Sequence, residues 1–116
     1  MPPEKYLPSR PLSFQEGIFG KPVDADGYWT KNNPAAIAKE NAAKIKASGL
    51  KLWIDVGTAD NLGCYPGTVF LHEVLQKAEI EHVYNEVKDG KHDAAFFGPS
   101  LQRAAKFLSE QVSKAK

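Results

Sequence analysis

The fold is decided by LKLWIDVGTAD, residues 50–60. Leu50, Leu52, Ile54 and Val56 fall on one face of an extended chain, and Trp53 falls on the other. A strand that is apolar on both faces suits a parallel sheet covered by helices. Gly57 and Thr58 then turn the chain, and Asp60 follows just past the strand end. In open α/β sheets, ligands and reacting groups gather outside the carboxyl ends of the strands. The stretch therefore predicts a central strand over residues 50–56 and a candidate site residue at its end.

Working outward, Asn33-Pro34 opens a helix over residues 34–48, because Asn is a good N-cap and Pro suits the first helical position. Its Ala, Lys and Glu are strong helix formers, and Gly49 closes it. Downstream, residues 57–67 read as a loop. Phe70, Leu71, Val74, Leu75 and Ala78 then make one stripe of a helix over 68–78. Residues 80–87 read as a second strand, and 88–98 as a loop that holds His92. Pro99 begins the last helix, with Leu101, Ala104, Ala105, Leu108 and Val112 on one face. Residues 1–33 carry most of the prolines and no sustained apolar period. They read as an irregular connecting segment with a short helical turn near 14–18.

The order is α/β: two parallel strands with three covering helices, residues 34–116, preceded by a long irregular N-terminal segment. Two parallel strands are too few for a stable open sheet. At least one edge is therefore expected to continue into strands from a missing N-terminal part or from another chain.

Composition narrows the function classes. The chain has 116 residues, room for one small domain. The net charge is +1, and no Lys/Arg stripe repeats along a helix, which argues against a nucleic-acid partner. No apolar run approaches the roughly 20 residues that span a bilayer, so no membrane partner is expected. The N-terminus MPPEKYLPSRPLSF has no apolar h-region, and with one cysteine a cytoplasmic setting is favoured. That cysteine, Cys64, reads as a small loop thiol rather than a redox or nucleophilic group. Three histidines without paired spacing give no metal motif. With no phosphate loop and no dinucleotide fingerprint, no cofactor is expected.

His92 lies beyond Val87 as Asp60 lies beyond Val56, at the same end of the neighbouring strand. An imidazole there can take a proton from a nucleophile while a carboxylate holds its tautomer. Acid then histidine, separated by one helix and one strand, is the order of an α/β-hydrolase triad after its serine. The serine is the missing member. Ser9, Ser13, Ser48, Ser100, Ser109 and Ser113 all lack the G-x-S-x-G setting, and no HGGG-type oxyanion stretch is present. Asp55 is an alternative acid but would be buried in mid-strand. Asp93 points elsewhere if His92 points inward, and His72 and His82 read as structural.

GLKLWIDVGTADNL, then a helix, then EIEHVYNEVKDGKHDAAFF and an amphipathic terminal helix resembles the C-terminal third of a group of esterases within the α/β-hydrolases. That group includes S-formylglutathione hydrolase and feruloyl esterases. IFGKPVDADGYWTKNNPAAIA is similar to the segment that follows the group's nucleophile strand. The resemblance covers roughly residues 14–112. It implies that Asp60, in GTAD, is the triad acid and that His92, in GKHDAAF, is the triad histidine. Lys91 stands where the group has glycine, and Ala94 where it has an aromatic residue.

The expectation is a serine carboxylic-ester hydrolase that takes a small-molecule ester. This chain would supply the Asp and the His but not the nucleophile, so the isolated chain is expected to be inactive. The alternative is a non-catalytic hydrolase-like module that binds a partner, or a second copy as a homo-oligomer, through its open sheet edge. A flavodoxin-like binding domain is a third reading, but it needs more strands than this chain supplies.

Overall fold

The structure is a computed structural model that describes residues 12–19 and 27–115. Among these residues it is mixed α/β, with six helices, one of them bent from its predecessor, and two parallel strands. The helices are α1 (Leu12–Phe19), α2 (Tyr28–Asn32), α3 (Pro34–Glu40), α4 (Ala42–Ser48), α5 (Cys64–Lys77) and α6 (Ala94–Lys114). The strands are β1 (Trp53–Gly57) and β2 (Val83–Val87), paired in register from Trp53 opposite Val83 to Gly57 opposite Val87. No described helix is long and apolar enough to cross a membrane.

The N-terminal segment holds α1, where a short helical turn was expected near 14–18, and α2, which was not expected. The helix expected over 34–48 is bent at Asn41, which leaves helical geometry at φ −110°, ψ 18°. Asn41 competes with the ladder by donating its side-chain Nδ2 to the Ile37 carbonyl. Asn33 caps α3 as expected, its buried Oδ1 accepting from the backbone N–H of Ala35 and Ala36. Gly49 ends α4 at φ 69°, in the left-handed region that glycine adopts cheaply.

Both strands are shorter than expected, starting at Trp53 and Val83. Leu50 precedes β1 and is exposed. The two faces of β1 have different partners. Leu52 and Ile54 join Leu71, Val74, Leu75 and Ala78 around α5, together with Ala38, Ala42 and Ile45 from α3 and α4 and with Ile80. The small buried Ala35 and Ala38 allow α3 to lie close on α5. Helix α5 closes with Glu79 at φ 56° and with Ile80 N–H donating to the Leu75 carbonyl. That is a Schellman turn, and its apolar clasp between Leu75 and Ile80 is itself part of the core.

On the opposite face, Trp53 packs against Phe107 of α6 at 5.5 Å between ring centroids. Asp55, only 5% exposed, accepts from Asn85 Nδ2 (2.9 Å), Ser100 Oγ (2.7 Å) and Arg103 Nη2 (2.9 Å). Helix α6 is therefore seated through Ser100, Arg103 and Phe107. The apolar stripe expected on this helix does exist, but Leu101 (68% exposed), Leu108 (60%) and Val112 (59%) face outward. Apolar period alone marks a stripe, not its partner. A buried carboxylate that needs a cation selected the other face.

Two helix starts also differ from expectation. Helix α6 begins at Ala94 and not at Pro99, because Asp93 is its N-cap and accepts from Phe96 N–H. Pro99 lies inside the helix at an exposed position, where it contributes no N–H to the helical ladder. Helix α5 begins at Cys64 and not at Thr68. Pro66 is thus in the first turn, where backbone N–H groups have no helical partner to lose.

Candidate active site

Parallel pairing puts the carboxyl ends of β1 and β2 side by side, and backbone contacts then tie the two following loops together. Thr58 N–H donates to the Val87 carbonyl and Ala59 N–H to the Gly90 carbonyl, each at 3.0 Å. Asp89 N–H donates to Thr58 Oγ1 at 2.8 Å. At the crossing point only glycine fits, since a Cβ on Gly57 would lie 2.1 Å from the Gly90 carbonyl oxygen. Gly57, already apparent in the sequence as a turn residue, thus brings the loops close enough for side-chain chemistry between them.

Asp60 and His92 meet across this clasp. Asp60 Oδ2 and His92 Nδ1 are 2.9 Å apart. The other carboxylate oxygen, Oδ1, accepts from the backbone N–H of Leu62 (2.9 Å) and Cys64 (3.0 Å). The Asp60 side chain is 6% exposed. Burial alone pushes its carboxyl upward, but the Cys64 N–H, the hydrogen bond with His92, the Leu62 N–H and the His92 charge together hold it below the usual carboxylate value. It is therefore an anion at neutral pH, and its Oδ2 can only accept. His92 must present Nδ1–H to it, which leaves the lone pair of the neutral ring on Nε2.

The rest of His92 is held as well. Its backbone N–H donates to Asn61 Oδ1 at 2.8 Å, and its ring meets Phe97 edge-on at 4.8 Å between centroids. Phe97, in the first turn of α6, supplies this aromatic contact. Its role was not visible while residues 88–98 read as a loop. The His92 side chain keeps 35% of its surface exposed, so the imidazole is oriented by the protein yet reachable from outside.

The other sequence candidates lie elsewhere. Asp55 is committed to Asn85, Ser100 and Arg103, which fixes it as an anchor for α6 and removes it as an alternative acid. Asp93 caps α6. His72 and His82 form a separate pair, with His72 Nδ1 2.8 Å from His82 Nε2 and His82 Nδ1 2.7 Å from the Ile80 carbonyl. Because a carbonyl only accepts, His82 Nδ1 is the donor there. His72 also stacks on Tyr84 at 3.9 Å. Burial and the hydrogen bond to Glu86 push the Tyr84 hydroxyl strongly upward.

One residue changes its standing. Cys64, expected in a loop, is the first residue of α5, and its thiol joins the site. Among the described residues, Asp60, Cys64 and His92 are the one group whose potential ligand atoms converge, all within 4.8 Å of one another. The signal available in the sequence was the spacing D-x-x-x-C, which becomes meaningful only once Asp60 is seen to bond the N–H that starts the helix. No match was found when the chain was compared with models of known protein families, with curated proteins and with solved structures.

Proposed function

We propose that this chain supplies the acid and the histidine of a serine carboxylic-ester hydrolase. The observation that carries the reading is the 2.9 Å contact between His92 Nδ1 and a buried, anionic Asp60 at the carboxyl ends of two adjacent parallel strands. Such a pair can do the proton work of acyl transfer. A serine hydroxyl attacks the ester carbonyl while His92 Nε2 takes its proton. Asp60 stabilises the imidazolium without leaving its hydrogen bond. His92 then returns the proton to the departing alkoxide, and water repeats the sequence to release the acid. The serine and the backbone donors for the oxyanion come from polypeptide outside these 116 residues.

The test is hydrolysis of a p-nitrophenyl acyl ester. The chain alone is expected to give no turnover above buffer. Joined to upstream polypeptide carrying a G-x-S-x-G serine, it is expected to turn over, and His92→Ala abolishes that turnover. Turnover by the chain alone, lost in His92→Ala, contradicts the requirement for an outside serine. Full activity of the joined protein with His92→Ala contradicts the triad reading itself.

A second reading has its own support in the outward stripe Leu101, Leu108 and Val112. A hydrolase-like module that pairs through this region would run as a stable dimer in sedimentation, and Leu108→Glu would make it monomeric. A monomer at all concentrations removes this reading.

A further inference from the structure

We propose that Asp60, Cys64 and His92 form a binding site for a thiophilic divalent cation, Zn2+, and that the bound metal disables the Asp60–His92 pair. The three side chains offer one carboxylate oxygen, one sulfur and one imidazole nitrogen, all within 4.8 Å of one another. In a tetrahedral zinc site, bonds of about 2.0–2.3 Å set ligand atoms about 3.3–3.7 Å apart. The widest separation here therefore has to close by about 1 Å, within reach of a thiol rotation. Charge also balances, because a carboxylate and a thiolate together neutralise a dication while the imidazole binds as the neutral ring. The mixture of sulfur, nitrogen and oxygen selects zinc over magnesium or calcium, which take oxygen ligands.

The ligands are pre-positioned. The backbone N–H of Cys64 donates to Asp60 Oδ1, which locks two ligands into one turn. His92 is fixed by its backbone bond to Asn61 and by the edge of Phe97. Ordering three flexible side chains is a large part of the cost of building a site, and here most of that ordering is already present. Three protein ligands leave a fourth position for water.

The effect on the pair follows from the imidazole. The nitrogen turned toward Asp60 is Nδ1. A metal at Nδ1 takes the lone pair of that nitrogen, so the single proton of the neutral ring moves from Nδ1 to Nε2, while the Cys64 thiol proton is released to solvent. An Nε2–H has no lone pair with which to accept a proton. The zinc-bound form is consequently unable to act as a base. The site depends on the side-chain cluster and not on ester chemistry, so the two proposals stand or fall separately.

The experiment uses the full reduced chain titrated with Co2+ as a spectroscopic probe and with Zn2+ by calorimetry. Expected results are one metal per chain, a thiolate-to-cobalt charge-transfer band in the near ultraviolet, and loss of that band when Zn2+ is added. Cys64→Ser should abolish the band and weaken Zn2+ binding at least tenfold. His92→Ala should weaken it at least tenfold, whereas His72→Ala should leave it unchanged. Because Cys64 is the single cysteine, a readout without any substitution is available. One equivalent of Zn2+ should slow its reaction with a thiol reagent at least tenfold. Absence of the band, unslowed thiol reaction, or Zn2+ binding that survives Cys64→Ser but is lost in His72→Ala overturns the proposal. Because none of these readouts needs ester turnover, an inactive hydrolase leaves them interpretable.

Discussion

His92 Nδ1 lies 2.9 Å from Asp60 Oδ2 although 32 residues separate the two in the chain. What joins them is backbone: two parallel strands in register, and two loops clasped at Gly57 and Gly90. The pair is therefore a consequence of the sheet.

In the joined protein carrying a G-x-S-x-G serine, the proposed triad predicts that Asp60→Asn lowers kcat for ester hydrolysis by about 10⁴-fold, because the amide can donate to the ring and favour the wrong tautomer. His92→Ala should be at least as severe. Steady-state kinetics should show the loss in kcat and little change in KM, since neither group is asked to bind the ester. A loss confined to KM would assign both residues to binding instead.

Gly57→Ala should destabilise the protein by about 2–3 kcal/mol, or roughly 10–20 °C in Tm, because its Cβ would meet the Gly90 carbonyl, which is fixed backbone. Thermal unfolding by circular dichroism measures this. An unchanged Tm would mean that the loops are not clasped as described.

Arg103→Met should cost about 3 kcal/mol by leaving the Asp55 carboxylate buried without its cation. The double variant Arg103→Met with Asp55→Leu should recover part of the loss. Urea denaturation of the two proteins gives the comparison, and a double variant less stable than the single one would count against an electrostatic anchor.

Asp60 also sets an acid limit. Its carboxyl is held below the ordinary value of 3.8, so the folded state favours the ionised form. The resulting stability is present above the unfolded-state value and is lost as pH falls through the lower folded-state value. A series of urea melts from neutral to acid pH should show this decline, and Asp60→Asn should flatten its share of it.

The stabilising direction is testable at Glu79, a non-glycine residue at φ 56° in the turn after α5. Glu79→Gly should add roughly 0.5–1 kcal/mol by relieving the left-handed conformation. No gain in Tm would show that the Glu79 side chain offsets its own strain.

Much of this was legible in the sequence. Alternation in residues 50–56 marked the buried strand, Asn33-Pro34 marked the start of α3, and the stripe from Leu71 to Ala78 marked the core face of α5. The positions of Asp60 and His92 beyond two strands predicted that they would lie at one end of the sheet, and the structure brings them together. The errors share a cause. Residues 57–67 and 88–98 read as loops, yet the ends of both belong to helices that an aspartate helps to start: Asp60 bonds the Cys64 N–H, and Asp93 caps α6. Those bonds depend on loop conformations that no local pattern encodes. Moving the start of α5 to Cys64 is also what brings the thiol into the site.

The central claim is that His92 is held as an Nδ1–H donor to Asp60 with Nε2 left as a base. Nitrogen-15 NMR of the labelled chain, at a pH where the ring is neutral, reads this directly. The expected result is a protonated Nδ1 and a bare Nε2 at His92, with the preference lost in Asp60→Asn. A His92 protonated on Nε2 in the unmodified, metal-free chain would contradict the account.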